Sequence, residues 1–425
     1  MDFVKEAIRQ NPHWETGEFP LPRMTCPFVK RGIWNALLAS SKKKFITVLK
    51  GLRRTGKSVL ARQLVREALG KGAAPKDFGW FEFDRAMNAT PDDLDALLQF
   101  FENRGARTVI LDEIPFVPKW QDILKRHYDR TDVKFVVTGS SALELDRRTS
   151  ESLAGRFEAL RVEPFSLPER LEQMGRLYKG TALEDARRSD ELVVECDEYV
   201  RTGGLPEIAC ERAEAARAKY VNESLLDPLL YKDLPVLFSN ANPDMLRKTL
   251  ELLAATAGSV YQLQTIAQVL GCTHPTAGTQ VELLERAMLV RTLFNKTSSL
   301  VKQRRTAKRI VFADNGILRA LRPEAPVGCL AENAAANVLG PSLFWRDSEG
   351  HEVDIVIPEE KIAIEVKYQE HITAADEKNL RYFLGKNSGW RGLLVTKREE
   401  DRGAELPRLP LWKLLARERD ILKSF

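Results

Sequence analysis

A chain of 425 residues, 44% hydrophobic and 29% charged, is long enough for two or three domains with real cores and is expected to be a soluble globular protein. No apolar run approaches the roughly 20 residues of a membrane span, and Met1-Asp2-Phe3-Val4-Lys5-Glu6 lacks the apolar segment of a signal peptide, so the expected location is cytoplasmic, with no membrane partner. The net charge of +5 is modest, and the five cysteines (Cys26, Cys196, Cys210, Cys272, Cys329) form no C-x-x-C pair, so neither a zinc site nor a disulfide framework is suggested.

Residues 1–40 carry Pro12, Pro20, Pro22 and Pro27 among scattered aromatics, which predicts an extended segment laid over the next domain. From residue 41 to 166 the pattern alternates. Apolar runs at 45–50, 78–83, 107–111 and 133–138 are separated by helical periodicity at 58–69, 91–101 and 118–129, the signature of an α/β fold with a parallel sheet.

The first run leads into Gly51-Leu52-Arg53-Arg54-Thr55-Gly56-Lys57-Ser58, followed by Val59 and an amphipathic stretch. This is G-x-x-x-x-G-K-[ST] between a strand and a helix, the P-loop context. Glycines stand where converging backbone N–H groups must approach phosphate oxygens, Lys57 reaches the β/γ-phosphates, and Ser58 ligates Mg²⁺ at a helix N-terminus. The third run ends in Asp112-Glu113. There Asp112 would hold the Mg²⁺ shell and Glu113 would serve as general base for the attacking water. The fourth run ends in Thr138-Gly139-Ser140-Ser141. Inserted between the first and third strands, it would set Thr138 or Ser140 beside the γ-phosphate, the alternative being a plain polar turn.

Leu153-Ala154-Gly155-Arg156 and Leu160-Arg161-Val162-Glu163-Pro164-Phe165-Ser166, the latter read as a further strand, complete a set with the P-loop, Leu111-Asp112-Glu113 and Thr138-Gly139-Ser140-Ser141. Together they resemble the bacterial and archaeal AAA+-type ATPases that carry a C-terminal DUF4143 domain. The resemblance implies ATP and Mg²⁺ as cofactors, and an oligomer such as a hexamer-like ring in which Arg156 enters the neighbouring subunit's site as an arginine finger. An ion pair of Arg156 with Glu158 is the structural alternative. Residues 167–240 read as a helical lid, in which the turn Gly204-Leu205-Pro206 resembles one that packs on adenine in this clade.

Residues 241–312 change to short helices, a Gly-containing turn and a strand, the order of a winged helix-turn-helix. Thr273, His274 and Thr276 open its second helix. The segment 296–309 holds Lys296, Lys302, Arg304, Arg305, Lys308 and Arg309 without an acid, a candidate DNA-binding wing toward duplex or branched DNA. Packing is the alternative role. In 313–425, Asp354, then Glu365-x-Lys367, with Glu332 on a preceding helix, resembles the PD-(D/E)xK nuclease core. Strand alternation puts Glu365 and Lys367 on one face, where Asp354 and Glu365 would hold Mg²⁺ and Lys367 would orient the water. The expected function is a DNA-remodelling or translocating ATPase; an ATP-regulated metal-dependent nuclease and a STAND-like nucleotide switch with a protein partner are the alternatives.

Overall fold

The computed structural model describes all residues except 1–2, 23–27, 85, 87, 140–152, 154, 298–306 and 425. The chain divides into two compact units: Met1–Glu163 with Tyr231–Asn240 and Arg286–Met288, and Pro164–Leu230 with Ala241–Glu285 and Leu289–Phe425.

The first unit begins with three helices, α1 (Phe3–Gln10), α2 (His13–Thr16) and α3 (Trp34–Ser41), followed by β1 (Ile46–Lys50), α4 (Lys57–Gly70), β2 (Phe78–Glu82), α5 (Pro91–Asn103), β3 (Thr108–Asp112), α6 (Trp120–Arg130), β4 (Lys134–Gly139) and β5 (Phe157–Arg161). The sheet order is β2-β3-β4-β1-β5 and every neighbouring pair is parallel. Alternation along the strands feeds two cores. Val48, Val109, Leu111, Phe135 and Val137 meet Leu94, Leu97, Phe101, Trp120 and Leu124 on one face, while Leu49, Ile110 and Val136 meet Leu60, Ala61, Leu64 and Trp34 on the other. Burial on both faces is what selects continuous apolar runs rather than half-polar strands. β5 begins and ends earlier than expected, because after Arg161 only Val162 N still bonds, to Lys50 O at 2.7 Å, and Pro164 has no N–H to continue the ladder.

The N-terminal segment is helical over Phe3–Gln10, His13–Thr16 and from Trp34, and not extended throughout. Its side chains satisfy the open edge of β2: Asn11 accepts from Trp80 N (2.7 Å) and donates to Trp80 O (2.8 Å), Gln10 accepts from Glu82 N (2.7 Å), and Trp14 Nε1 donates to Phe78 O (2.8 Å). These are alternate residues of β2, the ones whose backbone groups face away from β3. Covering an edge in this way removes a template for strand pairing with other chains.

The second unit contains α7 (Leu167–Gln173), α8 (Ala182–Thr202) and α9 (Glu214–Tyr220); the short α10 (Leu234–Leu237) belongs to the first unit. α7 starts with a Ser166/Glu169 capping box. The helices expected as a lid thus fall in the same unit as the C-terminal half. A buried polar joint explains this: Asp314 accepts from Gly204 N (2.6 Å) and Gly316 N (2.7 Å), and Asn315 donates to Val200 O (2.6 Å) and Leu330 O (2.9 Å). Burial pushes the Asp314 carboxyl up to about 6.

Then follow α11 (Pro243–Ala255), β6 (Val260–Tyr261), α12 (Leu263–Leu270), α13 (His274–Arg286), β7 (Val290–Phe294) and β8 (Lys308–Phe312), with an antiparallel sheet of order β6-β8-β7. The chain continues through α14 (Asn315–Leu321), α15 (Val327–Leu339), β9 (Leu343–Arg346), β10 (Glu352–Ile357), β11 (Ile362–Lys367), α16 (Ala374–Lys386), β12 (Arg391–Thr396), β13 (Arg408–Pro410) and α17 (Leu411–Arg417). The last sheet, β13-β12-β11-β10-β9, is mixed: antiparallel at β9/β10 and β10/β11, parallel beyond. Cys196, Cys272 and Cys329 are free. No helix among the described residues is long and apolar enough to cross a membrane.

Candidate nucleotide site and carboxylate cluster

The carboxyl ends of β1, β3 and β4 converge because β4 lies between the other two. Asp112 closes β3 fully buried. Its Oδ1 accepts from Ser58 Oγ at 2.9 Å and from Thr138 Oγ1 at 2.5 Å. Thr138 Oγ1 in turn accepts from Glu113 N at 3.0 Å, so one hydroxyl sets both acids. Burial, then the adjacent Glu113 charge, pushes Asp112 up to about 6. Of the two hydroxyls expected there, Thr138 is seated at the site; Ser140 lies outside the described residues.

Lys57 Nζ donates to Gly51 O (3.1 Å) and Leu52 O (3.0 Å) and stands 3.9 Å from Glu113. Burial lowers its pKa, opposed by Glu113 and Asp112. Glu113 adopts φ 53° and Arg54 φ 68°, left-handed conformations that side-chain-bearing residues take at a cost of order 1–3 kcal/mol each, repaid here by the surrounding structure. The two glycines of the loop have different reasons. Gly56 has φ +89°, while a Cβ on Gly51 would lie 2.2 Å from Val162 O, so close packing of the chain after β5 demands glycine there.

Sequence reasoning missed two supports. Arg31, from the segment to which no chemistry was assigned, donates to Thr55 O (2.8 Å) and Glu163 O (2.6 Å), bracing the loop. Asp233, wholly buried, takes Arg53 Nη1 at 2.7 Å; burial pushes it up to about 6 even with that guanidinium beside it. Neither has a local sequence signal, since each acts across more than twenty residues. Arg156 pairs with Asp129 at 2.9 Å, whereas Glu158 pairs with Lys43 at 3.2 Å, so the Arg156–Glu158 alternative does not form. Gly204 and Pro206 pack within the second unit: Phe165 N donates to Gly204 O at 2.7 Å, a Cβ on Gly204 would meet Phe165 O at 2.1 Å, and the carbonyl of the buried Pro206 accepts from Gln173 Nε2 at 3.3 Å.

Thr273 and His274 are exposed at the start of α13, with Thr276 half-buried behind them. Lys302, Arg304 and Arg305 lie outside the described residues. Lys308 sits on β8, its Nζ 5.8 Å from the Phe294 ring centroid. Arg309 corrects its assignment as a DNA contact: its side chain is only 11% exposed and is ion-paired to acids of its own unit. Alternation along β8 turns it away from Lys308.

Those acids are the expected nuclease-like set. Glu332 on α15, Asp354 on β10 and Glu365 on β11 gather, with Lys367 Nζ 2.8 Å from Glu365 Oε1. Burial and the Asp354 charge raise both Glu332 and Glu365. Lys367 is raised by Glu365 against the opposing effect of burial. Glu352 joins the cluster and was not anticipated.

Two donor sets therefore invite a metal. At the first, a hydroxyl and a carboxylate already share a polar contact beside a loop of converging backbone, which fits Mg²⁺ and its retained waters. At the second, Arg309 holds the oxygens a divalent ion would need, and the residues as arranged do not fit one.

A parallel α/β sheet with a P-loop sequence at β1 and an acid pair at the end of β3 is the arrangement of a P-loop nucleotide-binding domain. Residues 43–171 accordingly match the AAA domain family, and residues 329–414 match the domain of unknown function DUF4143; between them, residues 194–327 match the domain of unknown function DUF8612. The uncharacterized protein MJ1637 of Methanocaldococcus jannaschii is 28% identical over 363 residues, covering 76% of each chain. The uncharacterized protein Rv2008c of Mycobacterium tuberculosis is 24% identical, covering 80% of this chain and 73% of its own. Among solved structures, Aeropyrum pernix ORC1 in complex with DNA aligns at 16% identity and TM-score 0.32, covering 70% of this chain and 94% of that one. AMPPCP-bound DnaA from Aquifex aeolicus aligns at 14% and TM-score 0.23, covering 60% and 86%. Both alignments are too loose to carry a functional argument.

Proposed function

We propose that the protein is a Mg²⁺-dependent ATP hydrolase that assembles with copies of itself and uses the cycle to remodel or translocate on DNA. The observation that carries the hydrolase reading is the single Asp112 oxygen shared by the Ser58 and Thr138 hydroxyls, with Glu113 fixed one residue on and Lys57 beside it. Bound Mg²⁺ would neutralise phosphate charge, held by Ser58 directly and Asp112 through water. Lys57 exchanges its carbonyl partners for phosphate oxygens. Glu113 accepts the proton of the attacking water, and Thr138 keeps that carboxylate and Asp112 in register. Arg156, from a neighbouring copy, stabilises the transition-state charge.

The DNA reading is supported by the exposed opening of α13, in a winged-helix order of elements, and by the basic composition of 296–308. Without Lys296, whose Nζ contacts Asn387 Oδ1 at 3.3 Å, the basic residues available for phosphates are Lys302, Arg304, Arg305 and Lys308. The test is ATP turnover with and without single-stranded, duplex and branched DNA. Stimulation by at least one DNA, with Lys57→Ala inactive and Glu113→Gln binding nucleotide without turnover, supports the reading. Normal turnover in Glu113→Gln refutes the assignment of the base, and an ATPase indifferent to every DNA refutes the DNA part.

A further inference from the structure

The carboxylates expected to collect a divalent cation collect a guanidinium. Arg309 Nη1 lies 3.1 Å from Asp354 Oδ1 and 3.7 Å from Glu332 Oε2; Nη2 lies 2.7 Å from Glu352 Oε1 and 3.3 Å from Gly258 O. The remaining oxygens are largely committed too. Asp354 Oδ2 accepts from Val366 N at 2.9 Å, Glu365 Oε1 holds Lys367, and Arg346 is 3.7 Å from Glu352 Oε2. Glu365 Oε2 and Glu352 Oε1 are buried without a hydrogen-bond partner, and the latter is already ion-paired to Arg309, so few oxygens are left where a hard cation wants six or more ligands.

Arg309 is also difficult to move. It sits on the central strand of its sheet, in register with Val260 on one side and Leu293 on the other. The cavity beside it, lined by Gly258, Cys329, Glu332 and Asp354, has a volume of about 20 Å³. That is room for roughly one water, not for an ion with its hydration shell and a phosphodiester.

We propose that Arg309 is the resident cation of this cluster, standing where the nuclease-like arrangement would otherwise bind a divalent ion, so that β8 is joined to the C-terminal sheet by a metal-free ionic joint. The joint explains why Glu332, Asp354 and Glu365 are gathered without being a cutting site: two of the three face a fixed, bidentate-capable charge rather than an exchangeable one. This inference is independent of the ATPase and DNA readings.

The test is Mn²⁺ binding to the full chain without nucleotide, followed by electron paramagnetic resonance and calorimetry. The wild-type chain is expected to show no Mn²⁺ site that is sensitive to Asp354→Asn. Arg309→Met, folded by circular dichroism, is expected to gain one Mn²⁺ site per chain, roughly a hundredfold tighter than any residual binding to the wild type, and to lose it when Asp354→Asn is added. A wild-type Mn²⁺ site abolished by Asp354→Asn overturns the proposal, as does a folded Arg309→Met that gains none. Should Arg309→Met fail to fold, the wild-type and Asp354→Asn comparison still decides.

Discussion

Replacing Asp112 by Asn should stabilise the nucleotide-free protein while removing its hydrolytic capacity. The carboxyl is wholly buried and its pKa is pushed from an ordinary 3.8 to about 6. The gap corresponds to about 3 kcal/mol that ionisation costs the folded state, at about 1.4 kcal/mol per tenfold change. Because the folded pKa is raised, the cost is absent below about pH 4, grows as pH rises between 4 and 6, and is complete above. Asn has nearly the same shape, and its carbonyl oxygen can accept from Ser58 and Thr138 as the carboxylate does. Asp112→Asn should therefore gain up to about 3 kcal/mol at pH 7.5, less the advantage of hydrogen bonds to a charge, and close to nothing at pH 4. Urea denaturation of both proteins from pH 4 to 8 is the measurement. A stability difference that does not grow with pH, or a variant less stable than the parent at pH 7.5, would refute the argument that burial governs this carboxyl.

Mixing Arg156→Ala with Lys57→Ala subunits should restore part of the ATPase activity if Arg156 acts in a neighbour's site; confirmed co-assembly with no activity at any ratio counts against it. Replacing Lys302, Arg304, Arg305 and Lys308 together by Ala should weaken DNA binding and flatten its dependence on salt by about 0.9 per lost phosphate contact in a log–log plot, as counterion release requires. An unchanged slope moves the contact elsewhere. Asn11→Ala should cost about 2–3 kcal/mol by orphaning both the N–H and the C=O of Trp80 on the β2 edge, read by denaturant titration. A loss below 0.5 kcal/mol would mean, on the same scale, that water replaces the amide there.

The candidate nucleotide site was legible because its residues are local in sequence. Eight consecutive residues make the loop, two consecutive acids end β3, and the alternation of apolar runs with helical periods places them at one end of a parallel sheet. Three of the five strands of the C-terminal sheet were legible for the same reason, since Leu343–Arg346, Glu352–Ile357 and Ile362–Lys367 each declare themselves within six residues, whereas Arg391–Thr396 and Arg408–Pro410 were not read.

What the chain could not declare locally was decided by pairings across long separations. Asn11 and Trp14 answer backbone groups of β2 more than sixty residues away, which is why a proline-punctuated segment folds into helices on an edge instead of lying extended. Asp314 draws Gly204 into the second unit, and Asp233 reaches Arg53 across 180 positions. Arg309 is the sharpest case. In sequence it is one more cation in a basic run, and only the register of β8 turns it inward to three carboxylates supplied by elements up to 45 residues later, where a buried charge must find partners or not be buried at all.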